Sequence, residues 1–365
     1  MKIVELGMGV RPIPPDGYGA IEQTIWDLTT AFRALGHEVE VVNPVEEANL
    51  RHEWRPARQA PRMVRGHHGD ILHIHLERQG FFLGLHGIPY VLDAHVANWT
   101  YPRGDRSRRY NRFHNRLMFY PEVFGARWAA GVVAETEVQR LGILHRGRPR
   151  GELRLVDTGV DTTTFSPNGH GGDPHIVLGI GVVQPRKRWH LAARALEGTG
   201  MELRIVGPTT PARGGVPAYA EKVRASGRVE LLGEVPRSQL VDELHRCGMV
   251  VHPSSGETVG LAVLQGLAAG RPVIASSAIT VVGGSEGALV HRPPVPTGAA
   301  EEASLVQFIR EEAVRLRDDG AERARLGEVG REAMLRRFSW ESVARGHLAL
   351  FQSVLDARGG RPMLP

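Results

Sequence analysis

The 365-residue sequence contains a single cysteine, Cys247. One thiol excludes an internal disulfide framework and any zinc or iron–sulfur site built on cysteine. No apolar run approaches the ~20 residues that a helix needs to cross a bilayer, and residues 1–6 are predicted to form a strand and not a secretory leader. We therefore expect a cytoplasmic protein.

Lysine is nearly absent as well, since only Lys2, Lys187 and Lys222 stand among the 45 basic residues. These 45 exceed the 40 acidic residues only slightly, which gives a formal net charge of +5. A weak excess spread along the chain is not the clustered basic face that nucleic-acid binding requires. No nucleic-acid partner is expected.

Size and composition indicate a soluble protein of two domains. Hydrophobic residues make up 42% and charged residues 23% of the chain, which is the usual balance of globular proteins. A length of 365 residues is too great for one ordinary core and fits two domains. The 44 glycines and 24 prolines form no low-complexity tract, so they predict many tight turns.

Strand and helix patterns alternate along the first half of the chain. Residues 45–69 are polar and arginine-rich and show no readable pattern. Helices between successive strands imply right-handed βαβ units and a parallel sheet with helices on both faces. The pattern predicts a helix at 21–35 and strands at 2–6, 37–42, 70–75, 89–94, 130–134 and 153–156.

The alternation begins again after a linker-like run at 165–172. The predicted fold class is therefore α/β, with two Rossmann-like, doubly wound parallel-sheet domains that face a central cleft. Ligands are expected beyond the carboxyl ends of the strands. The second half predicts strands at 176–183, 202–207, 229–232, 249–252 and 272–275, a helix at 191–196, and helices within 304–355.

The first segment with chemical character follows the first strand and opens the helix at 21–35. It contains Gly17, Tyr18, Gly19 and Glu22. Small residues there let backbone amides approach an anion at a helix N-terminus. The segment is not a Gly-x-Gly-x-x-Gly fingerprint, and a tight turn that needs glycine explains it equally well.

The second segment, Gln184-Pro-Arg-Lys-Arg188, follows the first strand of the second half. Three cations at a strand end can neutralise a diphosphate, or they can form a solvated turn. Lys187 stands here although arginine fills nearly every other basic position, which favours the functional interpretation.

The third segment is the loop and helix after the strand that ends at His252. The loop carries Glu257, and the predicted helix begins near Leu261. Backbone amides at 260–262 are expected to face a phosphate at the helix N-terminus. Gln265 follows one to two turns further along the helix.

At this third segment the chain resembles glycosyltransferase family 4, a family of retaining GT-B glycosyltransferases (glycosyl transferases group 1). The family carries two glutamates separated by seven residues, in a stretch that reads Glu-x-Phe-Gly-Leu-x-x-x-Glu-Ala-Met-Ala-x-Gly-x-Pro-Val. Residues 257–273 follow that stretch, with glutamine at position 265. Further family landmarks occur in order at 15–22, 36–39, 70–75, 93–95, 159–161, 165–167 and 337–341.

The resemblance implies a GT-B fold with an acceptor-side domain at 1–167, a donor-side domain at 168–340 and a helix at 341–365 that packs back on the first domain. It also implies retaining, metal-independent transfer of a hexose from a UDP- or GDP-sugar to a hydroxyl acceptor. The acceptor would be a glycan, a lipid or a small natural product. No cofactor is expected, because the nucleotide sugar is a co-substrate.

The same resemblance implies roles for individual residues. Lys187 and Arg186 would contact the phosphates, Glu257 the hydroxyls of the donor sugar and Gln265 the ribose. His95 would lie near the reacting sugar, which makes His95, Lys187 and Glu257 the expected catalytic residues. The other expected contacts are Gly19, Gly260, Leu261 and Ala262 for the donor, and Gly17, Tyr18 and Glu22 for the acceptor.

Two departures from the family pattern matter for function. Gln265 replaces the second glutamate, and Val182 stands where the family has a phosphate-binding arginine, a contact that Arg186 or Arg188 would have to supply. These departures leave open a non-catalytic nucleotide-sugar-binding relative and a GT-B nucleotide-sugar 2-epimerase. Nucleotide-sugar turnover separates an enzyme from a binding protein, and an epimerase needs no acceptor.

Metal-binding patterns are weak in this sequence. No Asp-x-Asp motif occurs, which agrees with a metal-independent reaction. His73 and His75 alternate on one predicted strand and would suit a metal pair, but the pattern is ordinary for this strand in the family. We expect no metal site.

Residues 103–117 contain six arginines around Tyr110, Phe113 and Leu117. On a helix these three apolar residues form one stripe with a basic surround. The segment predicts either peripheral docking on the inner face of an anionic membrane or on a phosphorylated acceptor, or a surface helix that packs its stripe inward.

Overall fold

The computed structural model describes residues 1–15, 20–45, 54–95, 109–257, 259–291 and 298–365. The chain divides into two compact units, Met1–Gly159 together with Trp340–Pro365, and Val160–Ser339. The domain limits expected from the sequence, 167/168 and 340/341, stay a prediction.

The strands of the first unit follow the alternation of apolar segments. They are β1 (Lys2–Leu6), β2 (Glu38–Val42), β3 (Ile71–Ile74), β4 (Val91–Asp93), β5 (Gly131–Ala134) and β6 (Glu152–Leu155). All pairs are parallel, in the order β2-β1-β3-β4-β5-β6. The winding direction reverses between β1 and β3, and such a switch point is where doubly wound sheets bind ligands.

The strands of the second unit form an independent parallel sheet. They are β7 (Asp173–Ile180), β8 (Glu202–Val206), β9 (Val229–Gly233), β10 (Cys247–His252), β11 (Val273–Ala275) and β12 (Ala288–Val290). Their order is β12-β11-β10-β7-β8-β9. The switch point therefore lies between β7 and β10. The expected architecture of two Rossmann-like, doubly wound sheets is confirmed.

Helices connect the strands, and none of the described ones is long and apolar enough to span a membrane. The described helices are α1 (Ala20–Ala34), α2 (Trp54–Met63), α3 (Glu77–Leu85), α4 (Arg109–Trp128), α5 (Glu137–Gly142), α6 (Trp189–Leu196), α7 (Pro217–Arg224), α8 (Arg237–Arg246), α9 (Leu261–Ala268), α10 (Gly298–Asp318), α11 (Gly320–Ala333) and α12 (Trp340–Ala357).

The sequence pattern did not predict α2 or β12. The buried face of α2 consists of Pro56, Ala57, Ala60 and Pro61, so it lacks the large apolar side chains that make helical spacing visible. The apolar run of strand β12 is limited to its own three residues, because Gly287 precedes it and His291 follows it, so the sequence shows no pattern there.

The last helix, α12, belongs to the first unit. Its buried residues Val343, Leu350 and Phe351 join the same core as Ile3 of β1 and Phe32 of α1. Helix α12 therefore supplies side chains to one face of the first sheet. One of these, His347, reaches a cluster of buried ionisable groups.

Candidate active site

The donor-side candidates come together at the switch point of the second unit. The loop after β7 carries Lys187 and the loop after the neighbouring strand β10 carries Glu257. Lys187 Nζ lies 2.6 Å from Glu257 Oε1, and Nε2 of His252, the last residue of β10, lies 3.1 Å from the same oxygen. Adjacent parallel strands thus bring together residues that stand 70 positions apart.

The ionisation of these groups follows from their partners. Burial alone raises the pKa of Glu257, but the hydrogen bond from His252 and the positive charge of Lys187 outweigh burial and hold that pKa well below its usual range. Burial lowers the pKa of His252, although Glu257 opposes this effect. His252 is therefore a neutral donor to an ionised carboxylate. The sequence analysis did not identify His252, whose only signal was a histidine ending a strand shortly before Glu257.

Arg188 fixes the relative position of the two loops. Its backbone is left-handed, with φ 52°, and its buried guanidinium donates to the carbonyl oxygens of Pro253 at 2.7 Å and Ser254 at 3.0 Å and to Glu301 at 3.1 Å. The family has a phosphate-binding arginine where this chain has Val182. Because the Arg188 guanidinium already donates to these three acceptors, it does not take over that phosphate contact. Arg186 is exposed and is therefore the better candidate of the two for the phosphate contact.

Helix α9 begins beside this pair. Its N-cap, Gly260, has φ +85°, and a Cβ there would lie 2.5 Å from the side chain of Ile279, so the position requires glycine. The N–H groups of Leu261 and Ala262 belong to the first turn, which cannot bond them within the helix. Gln265 lies four residues after Leu261 on the same helix face and is half-buried.

A second group of ionisable side chains lies at the switch point of the first unit. Glu5 of β1 pairs in register with His73 of β3. The His73 Nδ1 atom lies 3.0 Å from Glu5 Oε1, and His75 Nε2 lies 2.7 Å from Glu5 Oε2. Burial raises the pKa of Glu5, but the two histidines outweigh it and lower this pKa to about 2.

The same group continues to His95, just beyond β4. His95 Nε2 lies 2.9 Å from His75 Nδ1, and His95 Nδ1 lies 3.0 Å from a carboxylate oxygen of Glu135. Asp93 Oδ2 is 3.8 Å from His95 Nε2 and 3.1 Å from Nε2 of His347 on α12. Glu135 and His347 were not identified from the sequence, because neither belongs to a recognisable motif.

The backbone around His95 is also held in place. The Gln139 side chain donates to the carbonyl oxygen of Ala94 at 3.1 Å and accepts from the Glu135 N–H at 3.0 Å. Gln139 is completely buried, so one amide joins the loops that follow β4 and β5. The positions of His95 and Glu135 are therefore fixed relative to each other.

The remaining candidates, Gly19 for the donor and Gly17, Tyr18 and Glu22 for the acceptor, are only partly described. Gly17, Tyr18 and Gly19 lie outside the described residues, and Glu22 is a buried residue in the first turn of α1. Within the segment 103–117, residues 103–108 also lie outside the described part. Helix α4 begins at Arg109, but the side chains of 109–118, among them the predicted stripe of Tyr110, Phe113 and Leu117, lie outside the description as well.

Three overlapping groups of buried side chains bring potential metal-ligand atoms within 4.8 Å of one another. Each group offers three ligand atoms, whereas a closed structural zinc site takes four. Hydrogen bonds already join many of these atoms, and we assign no ion to them. The groups are Glu5, His73 and His75; His73, Asp93 and His347; and His75, Asp93 and His95.

The matches to known protein families follow the division of the chain into two units. The family model described as Glycosyltransferase Family 4 matches residues 21–164, and the model described as Glycosyl transferases group 1 matches residues 160–332. Among solved structures, sucrose-phosphate synthase from Thermosynechococcus elongatus has a TM-score of 0.74 at 21% identity, covering 98% of this chain and 99% of that one. HepE from Anabaena, in complex with UDP and glucose, has a TM-score of 0.68 at 15% identity, covering 97% and 100%. At these identities the likeness shows the fold.

Curated relatives include the D-inositol 3-phosphate glycosyltransferases of Segniliparus rotundus and Mycolicibacterium gilvum. The first is 28% identical over 301 residues, which cover 75% of this chain and 62% of that protein. The second is 31% identical over 179 residues, which cover 44% and 40%. The matches thus span less than two thirds of the length of these relatives. Together with the two family models and the two doubly wound sheets, they show that the chain belongs to the GT-B glycosyltransferases of family 4, the glycosyl transferases group 1.

Proposed function

We propose that this protein transfers a hexose from a UDP- or GDP-sugar to a hydroxyl acceptor, with retention at the anomeric carbon and without a metal or other cofactor. The observation that carries the proposal is the contact between Lys187 and Glu257 at the switch point of the second sheet, beside the N-terminus of α9. A cation and free helix N–H groups suit a diphosphate, and an ionised carboxylate suits sugar hydroxyls.

Each of the donor-side residues Lys187, Leu261, Ala262, Glu257 and Arg186 has a defined task in this proposal. The bond between C1 of the sugar and the diphosphate oxygen breaks, the acceptor oxygen bonds to C1 on the same face, and the acceptor proton passes to the departing phosphate oxygen. Lys187 and the N–H groups of Leu261 and Ala262 stabilise the charge that develops on the diphosphate. Glu257 holds the donor sugar, and Arg186 provides a second cation for the phosphates.

The experiment offers UDP- and GDP-hexoses, with and without EDTA, to the protein together with a panel of acceptors that includes D-inositol 3-phosphate, simple glycans and lipids. That acceptor is chosen because similar proteins are D-inositol 3-phosphate glycosyltransferases. Mass spectrometry detects the product, and the anomeric proton coupling in its NMR spectrum reports retention. Binding of donors without turnover would indicate a non-catalytic relative, and acceptor-independent conversion of the donor would indicate an epimerase.

Gln265 is expected to make a weaker ribose contact than a glutamate. A carboxylate accepts from both ribose hydroxyls, whereas an amide offers one acceptor oxygen, and neutral hydrogen bonds contribute ~0.5–1.5 kcal/mol against ~1.5–3 for charged ones. Calorimetry with UDP and GDP should show that Gln265→Glu binds modestly tighter and that Gln265→Ala binds more weakly. Equal affinity of Gln265→Ala and the parent protein would mean that this side chain does not reach the ribose.

We propose that the arginine-rich start of α4 binds the inner face of an anionic membrane. Further along the same helix, Tyr120 is 57% and Phe124 36% exposed, and Leu144 on the short helix at 143–147 is 43% exposed. We expect co-sedimentation with phosphatidylglycerol vesicles but not with phosphatidylcholine vesicles, because arginines attract anionic lipid. The double variant Tyr120→Ser/Phe124→Ser should lose this binding, and Leu335→Ser, an exposed control in the second unit, should keep it. Equal binding to both kinds of vesicle would contradict the proposal.

A further inference from the structure

His75 and His95 form a direct imidazole–imidazole contact. Their rings are nearly parallel, with an interplanar angle of 5° and centroids 5.1 Å apart. The His75 Nδ1 and His95 Nε2 atoms lie 2.9 Å apart. Each outer ring nitrogen faces a carboxylate, Glu5 for His75 at 2.7 Å and Glu135 for His95 at 3.0 Å. The four groups therefore form one continuous chain of hydrogen bonds.

This geometry fixes the number of protons on the two rings. Ionised carboxylates only accept hydrogen bonds, so His75 Nε2 and His95 Nδ1 each carry a proton. A nitrogen–nitrogen distance of 2.9 Å is a hydrogen bond only when one proton lies between the two atoms. The two rings thus hold three protons, and two neutral imidazoles hold two. The pair consequently carries one positive charge.

We propose that His75 and His95 act as one unit, an imidazole pair that holds a single positive charge between Glu5 and Glu135, and that His75, Glu5 and Glu135 are positioning residues for His95. The proposal deepens the proposed function, on which its catalytic part rests, namely that turnover needs the positive charge of the pair at His95, the residue expected near the reacting sugar. The shared proton can lie on either ring. When it moves from His95 Nε2 to His75 Nδ1, His75 becomes the cation, and Nε2 of the neutral His95 accepts the hydrogen bond from His75 Nδ1.

The surroundings explain why the charge is retained at neutral pH. Burial lowers the pKa of His95, but the carboxylates of Asp93 and Glu135 outweigh burial and raise this pKa to about 9. Burial is also the main reason why the pKa of His75 falls to about 4, so the pair does not take up a second charge near neutrality. The titratable groups that face the pair are Glu5 on β1, His73 on β3, Glu77 on α3, Asp93 on β4, Glu135 after β5 and His347 on α12.

His347 contributes indirectly through Asp93. Its Nδ1 atom lies 2.9 Å from the carbonyl oxygen of Val343, and its Nε2 atom lies 3.1 Å from Asp93 Oδ2. Both partners are acceptors, so both nitrogens of His347 carry protons. Asp93 therefore lies between two cationic groups, and α12 holds it in place beside His95.

The first test is a pH titration of the histidine ring nitrogens by NMR on the full-length protein labelled with ¹⁵N-histidine. The His95→Gln and His75→Gln variants assign the signals. We expect His95 and His75 to carry three protons between them at pH 7.5 and to lose the shared proton near pH 9. In Glu135→Gln the midpoint should fall by about one pH unit or more, because a neutral amide no longer stabilises the charge.

The matched control is Glu40→Gln. Glu40 lies 2.7 Å from Nδ1 of His67 in the same unit, so this variant removes a carboxylate from a partly exposed histidine outside the pair. It should leave the His95 midpoint unchanged. Two neutral rings at pH 7.5 in the parent protein, or a midpoint near 6.5 that His75→Gln does not move, would overturn the proposal even if the Glu135 variant failed to fold.

The second test is the pH dependence of donor turnover. The parent protein should lose turnover as the pH rises through about 9, Glu135→Gln should lose it at lower pH, and Glu40→Gln should match the parent. An unchanged profile in Glu135→Gln would overturn the catalytic part of the proposal. Absence of turnover with every donor would instead count against the proposed function, while the NMR titration still decides the charge on the pair.

The same ion pairs affect stability, with a direction that follows from the pKa of His95. Because this pKa is raised from 6.5 to about 9 in the folded protein, the charge stabilises the fold fully below about pH 6.5, and the stabilisation is lost as the pH rises through about 9. The difference in melting temperature between the parent and Glu135→Gln should therefore be largest near pH 6.5 and smallest above pH 9.

Discussion

Replacing Glu257 with glutamine is expected to reduce donor turnover by about a hundredfold or more, with no loss of affinity for the free nucleoside diphosphate. The proposed role of Glu257 is to accept hydrogen bonds from the hydroxyls of the donor sugar, and charged hydrogen bonds contribute ~1.5–3 kcal/mol each. A hundredfold change corresponds to about 2.7 kcal/mol. Free UDP or GDP has no sugar for Glu257 to hold, so its binding does not depend on this contact.

The structure also predicts the direction of any change in nucleotide affinity. Lys187 is paired with Glu257, so a diphosphate has to compete with this carboxylate for the cation. Glutamine at position 257 removes the competing charge, and binding of UDP or GDP should be equal to or tighter than that of the parent.

Steady-state kinetics and calorimetry on the same preparations separate the two effects. Glu243→Gln is the matched control, because Glu243 is a buried carboxylate of the same unit that pairs with Arg204 at 2.8 Å. Any loss of turnover in that control measures general destabilisation. Full turnover by Glu257→Gln would mean that Glu257 only shapes the loop.

The fold could be predicted from the sequence because its signals are local. Apolar segments that alternate with helical spacing identified the strands β1 to β11, with ends that shift by a few residues. Where the buried residues are small, as in α2, or the apolar run is confined to three residues, as in β12, periodicity carries no signal.

The site could be predicted only where a motif occupies one continuous segment. Lys187 and Glu257 each stand in such a segment, and the fold brings the two segments together. The groups around His95 are different, because His347 lies 254 positions from Asp93, and Glu5 lies 70 positions from His75. Their proximity depends on strand order and on the return of α12 to the first unit, which no local pattern encodes.

Lys187→Ala is expected to weaken binding of UDP or GDP at least about tenfold. A partly buried ammonium group that bonds a phosphate contributes ~1.5–3 kcal/mol, and 1.4 kcal/mol is a factor of ten in affinity. The Lys187 side chain lies against Gly181 at the end of β7, and a Cβ at Gly181 would meet Lys187 Nζ at 3.4 Å. Calorimetry measures the loss, and Lys222→Ala, which removes an exposed lysine of the same unit, is the control.

A double variant distinguishes the lost phosphate contact from the charge that Lys187→Ala leaves behind. Without Lys187, the ionised Glu257 is no longer neutralised and repels the incoming diphosphate. Lys187→Ala/Glu257→Gln removes that repulsion, so it should bind nucleotide more tightly than Lys187→Ala alone yet more weakly than Glu257→Gln. The difference between the two lysine variants measures the repulsion, and the difference between the two glutamine variants measures the phosphate contact itself. If Lys187→Ala binds UDP and GDP as tightly as Lys222→Ala does, Lys187 does not contact the diphosphate, and its role is confined to holding Glu257.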